Sequence, residues 1–309
     1  MAEGRPRMPT DYSTFLEDGA FAIFTFHGVI RRQRHAIRNY TRKHLEVDAF
    51  VAILRDLQAH GAPVSLPEIV AATRAAQPLP TRAFAVTLED AFRNNYTTAA
   101  PVFDDLGIPA TFYVTTGFIE SNSPSWTDMI EYAVEQVGSL HIDASLPAYA
   151  GSYETREQKI ALLNRIRDGV KADPNVDPYQ FAHAVWRQLG VSDMQHDPEL
   201  DEKLSWSELA ELSRHPLFTI GGHGHTHRIL EYLEQPELER EIATSVGTLR
   251  AKLDLAIEHY SYPEGLRHCY SDRVIAVLRR HHIVCAPSAE HGVNSLGDDL
   301  FHLKRVAVV

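Results

Sequence analysis

Residues 84–90 read Phe84-Ala85-Val86-Thr87-Leu88-Glu89-Asp90, a short and mostly apolar run that ends in two acids. The run lacks the alternation of apolar and polar residues that a half-exposed strand shows, which is typical of a strand buried on both faces of a parallel sheet. Further short apolar or β-branched runs predict six more strands, over residues 22–26, 110–115, 219–222, 258–262, 283–286 and 305–309. The sequence therefore predicts a parallel sheet of seven strands, one fewer than the common eight-stranded α/β barrel has.

Amphipathic segments lie between several of these strands. Apolar residues recur at helical spacing and predict helices over residues 47–60, 236–253 and 271–281. Strands that alternate with such helices indicate βαβ units.

Residues 117–204 differ from the rest of the chain. They show no strand signal, and their patterns predict helices over residues 128–137, 156–170 and 178–189. We therefore predict a single domain over residues 1–309 that carries a mostly helical insertion at about 117–204.

The composition excludes several classes of protein. Among 309 residues, 30 Lys and Arg stand against 41 Asp and Glu, a net charge of −11, whereas affinity for nucleic acid depends on Lys and Arg that neutralise phosphates. Two cysteines, Cys269 and Cys285, cannot supply a disulfide framework. No run reaches the roughly 20 apolar residues of a membrane span, and we see no secretion signal. We expect a soluble cytoplasmic protein without a nucleic-acid partner; the sequence does not indicate its oligomeric state.

A histidine cluster follows the predicted strand at 219–222, in Gly221-Gly222-His223-Gly224-His225-Thr226-His227. On a helical turn, a spacing of four residues places His223 and His227 on one face, where both can reach one metal ion. One such pair is expected by chance in a chain with 17 histidines. The position is the stronger argument, because α/β barrels bind their ligands where strands end. His225 is expected to face away from the other two, toward solvent or a supporting contact.

Three other predicted strands also end in residues that can do chemistry. After the predicted strand at residues 84–88, Asp90 could bind a metal while Glu89 faces a bound water. A metal site with two histidines, one carboxylate and open positions would be hydrolytic. His27 could protonate a leaving amine if it lies across the metal from Glu89. The turn Ser261-Tyr262-Pro263-Glu264-Gly265 could aim a backbone N–H at a developing oxyanion. Each motif taken alone also has a structural reading: a solvated strand end, a hydrogen-bonding histidine or a simple turn.

Together the four motifs resemble those of the polysaccharide deacetylases with a NodB-type domain, carbohydrate esterase family four. Residues 87–90 resemble the first motif of that family, Thr-Phe-Asp-Asp; residues 223–227 resemble its His-x-x-x-His motif; and residues 261–265 are similar to Tyr-Pro-Tyr-Gly. The resemblance implies a distorted (β/α)7 TIM-like barrel and a divalent metal, with Zn²⁺ first and Co²⁺, Ni²⁺, Mn²⁺ or Fe²⁺ as alternatives. It implies these roles: metal ligands Asp90, His223 and His227; catalytic base Glu89; oxyanion donor the N–H of Glu264; and a substrate-facing motif that includes Tyr262.

Two residues depart from the family pattern. Glu89 stands where the family has Asp, and the extra methylene moves the carboxylate by about 1 Å or more. Ser261 stands where many members have an Arg that orients the base. Arg305, in Leu303-Lys304-Arg305-Val306, resembles the Leu-Pro-Arg-Ile end of one branch, and we expect it to supply that charge.

The usual C-terminal histidine motif of the family is missing. A circularly permuted branch, which includes biofilm poly-N-acetylglucosamine deacetylases, carries that motif near its N-terminus as Tyr-His-x-Val, and Phe26-His27-Gly28-Val29 resembles it. The resemblance implies that His27, as an imidazolium, is the general acid.

The resemblance implies hydrolysis of an N-acetyl group, or another small N-acyl group such as formyl, on an amino sugar. Because no export signal is present, we expect a nucleotide-linked sugar, a lipid-linked precursor or a short saccharide as the substrate. Two alternatives stay open. One is a C–N hydrolase of the same fold that acts on a non-sugar amide; the other is a catalytically silent carbohydrate-binding relative, given the departures at Glu89 and Ser261.

Overall fold

The computed structural model of the chain describes residues 11–309, a mixed α/β structure with a parallel sheet and, in that part of the chain, ten α-helices. In chain order the strands are β1 (Ala20–Phe26), β2 (Gly28–Ile30), β3 (His44–Glu46), β4 (Ala62–Pro63), β5 (Ala83–Leu88), β6 (Ala110–Val114), β7 (Leu140–Ile142), β8 (Gly151–Tyr153), β9 (Phe218–Gly222), β10 (Asn294–Ser295) and β11 (Val306–Ala307). The helices are α1 (Val47–His60), α2 (Leu66–Ala75), α3 (Ala100–Leu106), α4 (Thr116–Ser121), α5 (Trp126–Gln136), α6 (Arg156–Ala172), α7 (Pro178–Leu189), α8 (Trp206–Arg214), α9 (Gln235–Leu253) and α10 (Asp272–Arg280).

The central sheet is built on four parallel strands in the order β1-β5-β6-β9. All six residues of β5 are buried, as its continuous apolar run predicts. At one edge, β10 pairs antiparallel with the start of β1 and β11 pairs parallel with its end, while β4 joins β5. The strands predicted over residues 22–26, 84–88, 110–115 and 219–222 are confirmed to within two residues at each end.

The other three predicted strands are less regular than expected. Residues 258–262 and 283–286 form only single parallel bridges, Gly222 with Tyr260 and His259 with Cys285, and the last strand shrinks to Val306–Ala307. Their backbones still form hydrogen bonds to neighbouring segments: the N–H of Ser261 donates to the carbonyl of Gly222, at the end of β9, at 2.8 Å. Prolines directly after these segments, at 263 and 287, remove an N–H donor and shorten the ladders.

The amphipathic segments form the predicted helices. Residues 47–60 are α1. Helix α9 begins one residue earlier than predicted, and α10 is one residue shorter than predicted at each end. On α1 the buried side chains are Phe50, Leu54 and Leu57, one stripe at helical spacing that faces the sheet core. In this core the ring of Phe103 contacts three others edge-on, with centroid distances of 5.3 Å to Phe50 and 6.5 Å to both Phe112 and Phe218.

Residues 117–204 contain the predicted helices but also a β-hairpin. The prediction of no strand there is wrong, because β7 and β8 pair antiparallel between α5 and α6. Strands of three residues are too short to show periodicity in the sequence. Helices α5, α6 and α7 share a hydrophobic cluster separate from the sheet core, and the indole N–H of Trp186 donates to the carbonyl of Met129 at 2.7 Å. That this segment is an insertion in a single domain stays a prediction.

Two smaller sequence expectations concern cysteines and membranes. Cys269 and Cys285 are buried and unpaired. Among the residues that the structure describes, no helix combines the length and the apolarity that crossing a bilayer requires.

Replacement of Phe103 by Ala should lower the free energy of unfolding by about 3–5 kcal/mol, because the fully buried ring leaves a cavity among aromatic neighbours. Urea denaturation followed by circular dichroism measures the change. The matched control is Leu266→Ala, since Leu266 is 47% exposed, and its effect should stay within about 0.5 kcal/mol. Equal effects for the two variants would contradict the placement of Phe103 in the core.

Candidate active site

The polar residues that follow the parallel strands lie at one edge of the sheet. His27 follows β1, Glu89 and Asp90 follow β5, Thr115 follows β6 and His223 follows β9. Because these strands are parallel neighbours, their carboxyl ends meet at the same edge, where α/β proteins place ligands. The chain turns sharply there: Asp90 and Ala91, both non-glycine residues, have φ of 70° and 59° in the left-handed region. Such backbone persists only where surrounding contacts fix it.

Asp90, His223 and His227 form the one group of three or more potential metal ligands found in residues 11–309, with one ligand atom of each within 4.8 Å of the others. Oδ1 of Asp90 lies 3.2 Å from Nε2 of His227 and 3.7 Å from Nε2 of His223. This Oδ1 is buried and has no hydrogen-bond partner. Two imidazoles and one carboxylate with open positions are the donor set of catalytic zinc sites. The residues therefore fit a divalent cation.

The ring of His223 is oriented by the backbone of the neighbouring segment. Its Nδ1 lies 2.9 Å from the carbonyl oxygen of Ser261, to which it donates as N–H. This bond fixes the tautomer and leaves the lone pair of Nε2 facing Asp90.

The expected helical turn that would bring His223 and His227 together is wrong. Residues 223–229 are a loop, in which Gly224 has φ of 80° and His227 has φ of 57°, and this path brings the two ring centroids to 4.9 Å. His225 faces away from the pair, as expected, and its Nδ1 lies 2.9 Å from Oγ1 of Thr116.

Glu241 holds this histidine loop, a role that the motifs did not reveal. Its carboxylate accepts hydrogen bonds from the N–H of His225 at 2.7 Å, the N–H of Thr226 at 2.6 Å and the hydroxyl of Thr226 at 3.0 Å. Glu241 is buried on α9 beside Ile242. In the sequence, Glu241 is an acid next to the apolar stripe of a helix, and acids are rarely buried there without partners.

Glu89 is buried and is held through one of its two oxygens. Its Oε1 accepts from Nη1 of Arg305 at 2.7 Å and from Oγ of Ser261 at 2.5 Å. Burial by itself would raise the pKa of Glu89, but the charge of Arg305, followed by His223 and His27, lowers that pKa to about 2. Oε2 remains free on the side of His27. Arg305, which we expected to supply the missing charge, thus contacts the predicted base and not the open cleft, and it is only 1% exposed.

His27 lies beside Glu89, with 3.7 Å between its Nε2 and Oε2 of the carboxylate. This differs from the expected arrangement in which the metal separates the two groups. Burial lowers the pKa of His27 even though the carboxylates of Asp90 and Glu89 raise it. The role of His27 as the general acid stays a prediction.

The turn at residues 261–265 presents a backbone donor. Glu264 has φ of 62°, and within residues 11–309 its N–H makes no hydrogen bond. Tyr262 is fully buried: its hydroxyl donates to the carbonyl of Phe301 at 3.0 Å, and its ring stacks on Tyr270 at 4.2 Å. The expectation that the Tyr262 side chain faces substrate is wrong, because a tyrosine in a strand-end turn points inward when it anchors the turn to the core.

A cluster of buried charges flanks the site. Nζ of Lys43 donates to Asp128 at 2.6 Å, whereas Nζ of Lys203 has no hydrogen-bond partner and lies 3.5 Å from the centre of the Phe92 ring. Burial lowers the pKa of Lys203 from 10.5 to about 8. Lys203 lies where the helical segment meets the sheet edge. Because its Nζ is buried without a hydrogen-bond partner, folding disfavours its charged form.

The carboxyl edge of the parallel sheet thus carries a buried carboxylate, an Asp-His-His cluster and a neighbouring histidine, at the place where α/β enzymes hold their catalytic groups. The family described as polysaccharide deacetylase matches residues 76–286, about two thirds of the chain. The chain belongs to the polysaccharide deacetylase family, whose catalytic unit is the NodB domain. The predicted family and α/β fold type are thereby confirmed, and membership supports carbohydrate deacetylation as the class of activity. His27 and Arg305 lie outside the matched residues.

Solved structures with the same fold cover nearly the whole chain. The Streptococcus pyogenes deacetylase PplD, in complex with acetate, is 14% identical, with 94% of this chain and 93% of that chain covered and a TM-score of 0.61. IcaB from Ammonifex degensii is 16% identical, with 95% and 93% covered and a TM-score of 0.59. The BpsB deacetylase domain from Bordetella bronchiseptica is 17% identical, with 94% and 97% covered and a TM-score of 0.55. These identities show likeness of fold. A search of curated proteins gave no match.

Replacement of Lys203 by Met should change how stability depends on pH. The unfolded chain keeps the Lys203 proton to about pH 10.4 and the folded protein releases it near pH 8, so between these values the unfolded state binds more protons. The stability of the wild type should therefore rise relative to Lys203→Met from pH 8 to pH 10, by on the order of 2 kcal/mol. Urea denaturation at several pH values measures this, with the exposed Lys252→Met as control. A constant difference between wild type and Lys203→Met would contradict the lowered pKa.

Proposed function

We propose that the protein is a metal-dependent hydrolase that removes an N-acetyl group, or another small N-acyl group, from an amino sugar. The observation that carries the proposal is that Glu89, with Arg305 on one oxygen and His27 beside the other, adjoins the Asp90-His223-His227 cluster. Membership of the polysaccharide deacetylase family supports the carbohydrate substrate.

Asp90, His223 and His227 would hold the metal, with Zn²⁺ first and Co²⁺, Ni²⁺, Mn²⁺ or Fe²⁺ as alternatives. When bound, the cation would lower the pKa of a water molecule and polarise the acyl carbonyl. The residues themselves supply the supporting contacts: the Ser261 carbonyl fixes the His223 tautomer, and Glu241 fixes the loop that carries His227.

Glu89 takes the proton of the attacking water at Oε2, the oxygen that Arg305 and Ser261 leave free. His27, which lies beside Glu89, donates a proton as an imidazolium to the departing amine. The free N–H of Glu264 donates to the developing oxyanion.

The proposed substrate has two parts, an acyl group and an amino sugar with its carrier. PplD was solved with acetate bound, which supports acetyl as the acyl group. A nucleotide-linked sugar, a lipid-linked precursor or a short saccharide is the proposed amino-sugar carrier. We also propose that the protein lies in the cytoplasm. No oligomeric state is proposed.

The function is tested by metal content and acyl release measured together, on the wild type and on Glu89→Ala. The wild type should hold about one Zn²⁺ per chain and release acetate or formate from members of a panel of N-acylated sugars and nucleotide sugars. Glu89→Ala should keep the metal and lose at least about 100-fold in kcat, the range of general-base catalysis.

The matched control is Glu258→Ala, an exposed acid at the opposite end of the 258–262 segment, which should behave as the wild type does. Wild type without metal after reconstitution with Zn²⁺ would refute the ligand set. Bound metal without turnover on the sugars, but with turnover on non-sugar amides, would favour the alternative C–N hydrolase. Bound metal without any turnover would favour a carbohydrate-binding protein.

A further inference from the structure

An ion pair joins the helical segment to the turn that presents the Glu264 N–H. Nζ of Lys171 donates to the carboxylate of Glu264. Lys171 lies in the last turn of α6, and its own carbonyl accepts a hydrogen bond from the hydroxyl of Tyr232 at 3.1 Å. Tyr232 therefore contacts the backbone of Lys171, and the Lys171 side chain contacts Glu264.

The backbone of Glu264 needs such a contact. A glutamate with φ of 62° occupies the left-handed region, which costs conformational free energy for a residue with a Cβ. The hydrogen bonds nearby fix the next residue: the N–H of Gly265 donates to the carbonyl of Pro263, and the carbonyl of Gly265 accepts from Ala289, both at 2.7 Å. The contact that reaches the Glu264 side chain is the one from Lys171.

The ion pair also borders the space beside the metal cluster. A pocket between α6 and the histidine loop is lined by Lys171 and Glu264 together with the cluster residue His227. Burial raises the pKa of Glu264, but the charge of Lys171 lowers it below its ordinary value, which keeps the carboxylate charged and paired. A substrate carbonyl at the cluster would thus lie next to the turn that Lys171 holds.

We propose that Lys171 is a positioning residue: by pairing with Glu264 it fixes the turn so that the Glu264 N–H points at the acyl oxygen. The proposal rests on the proposed function. If Lys171 has this role, the helical segment at residues 117–204 takes part in catalysis as well as bordering the site.

The test uses four variants: Lys171→Met, Lys171→Arg, Lys171→Glu, and the charge swap Lys171→Glu with Glu264→Lys. With an N-acetylglucosamine oligomer as the probe, Lys171→Met should lose about tenfold in kcat with KM within about twofold, since an oxyanion contact is stronger in the transition state than in the ground state. Lys171→Arg should restore most of kcat, and the charge swap should exceed Lys171→Glu. Bound Zn²⁺ per chain should be the same in all variants.

The matched control is Lys252→Met, which also removes a lysine from the last turn of a helix, here α9, but away from the cluster. It separates the loss of a helix-end cation from the loss of the Glu264 contact. Hydrogen–deuterium exchange of the peptide covering residues 261–265 adds a readout independent of turnover: exchange should be faster in Lys171→Met, and unchanged in Lys171→Arg and Lys252→Met.

The proposal is overturned if Lys171→Met exchanges as the wild type does and keeps its kcat, or if KM rises at constant kcat, which would make Lys171 a substrate contact. A wild type inactive on every probe would refute the proposed function instead. In that case the exchange data alone decide whether Lys171 fixes the turn.

Discussion

The buried ion pair between Glu89 and Arg305 is the contact on which the site depends. Its partners are 216 residues apart in the chain, and both are almost completely removed from water. A charge buried in this way is tolerated only with a partner and further hydrogen bonds. Arg305 meets this condition through Glu89 and through Ser288, whose carbonyl accepts from its Nε at 2.5 Å. The pair therefore joins the start of β11 to the ends of β1 and β5.

This pair also explains how glutamate takes the place of the family aspartate. The longer side chain of Glu89 reaches Ser261 and Arg305 with one oxygen, and the other oxygen stays on the side of His27. Ser261 and Arg305 therefore donate to the same oxygen of Glu89 from two distant parts of the chain.

Three residues of the proposed site have backbone in the left-handed region. Asp90, His227 and Glu264 all have φ between 57° and 70°. For two of them a contact from a helix is present: Glu241 holds the loop of His227, and Lys171 pairs with Glu264 in its turn. At both positions a segment after a strand supplies the site residue and a helix supplies the group that contacts it.

The sequence alone determined the features that depend on near neighbours. Apolar runs predicted β1, β5, β6 and β9, helical spacing predicted α1 and α9, and the motifs placed Asp90, His223 and His227 at strand ends, because periodicity and strand ends are local properties. Tertiary structure alone decided the rest: that Tyr262 points into the core, that the histidines converge through a loop and not a helical turn, and that Lys171 reaches Glu264. These contacts join residues far apart in the chain, and they form only when the strands and helices pack, so no local pattern records them.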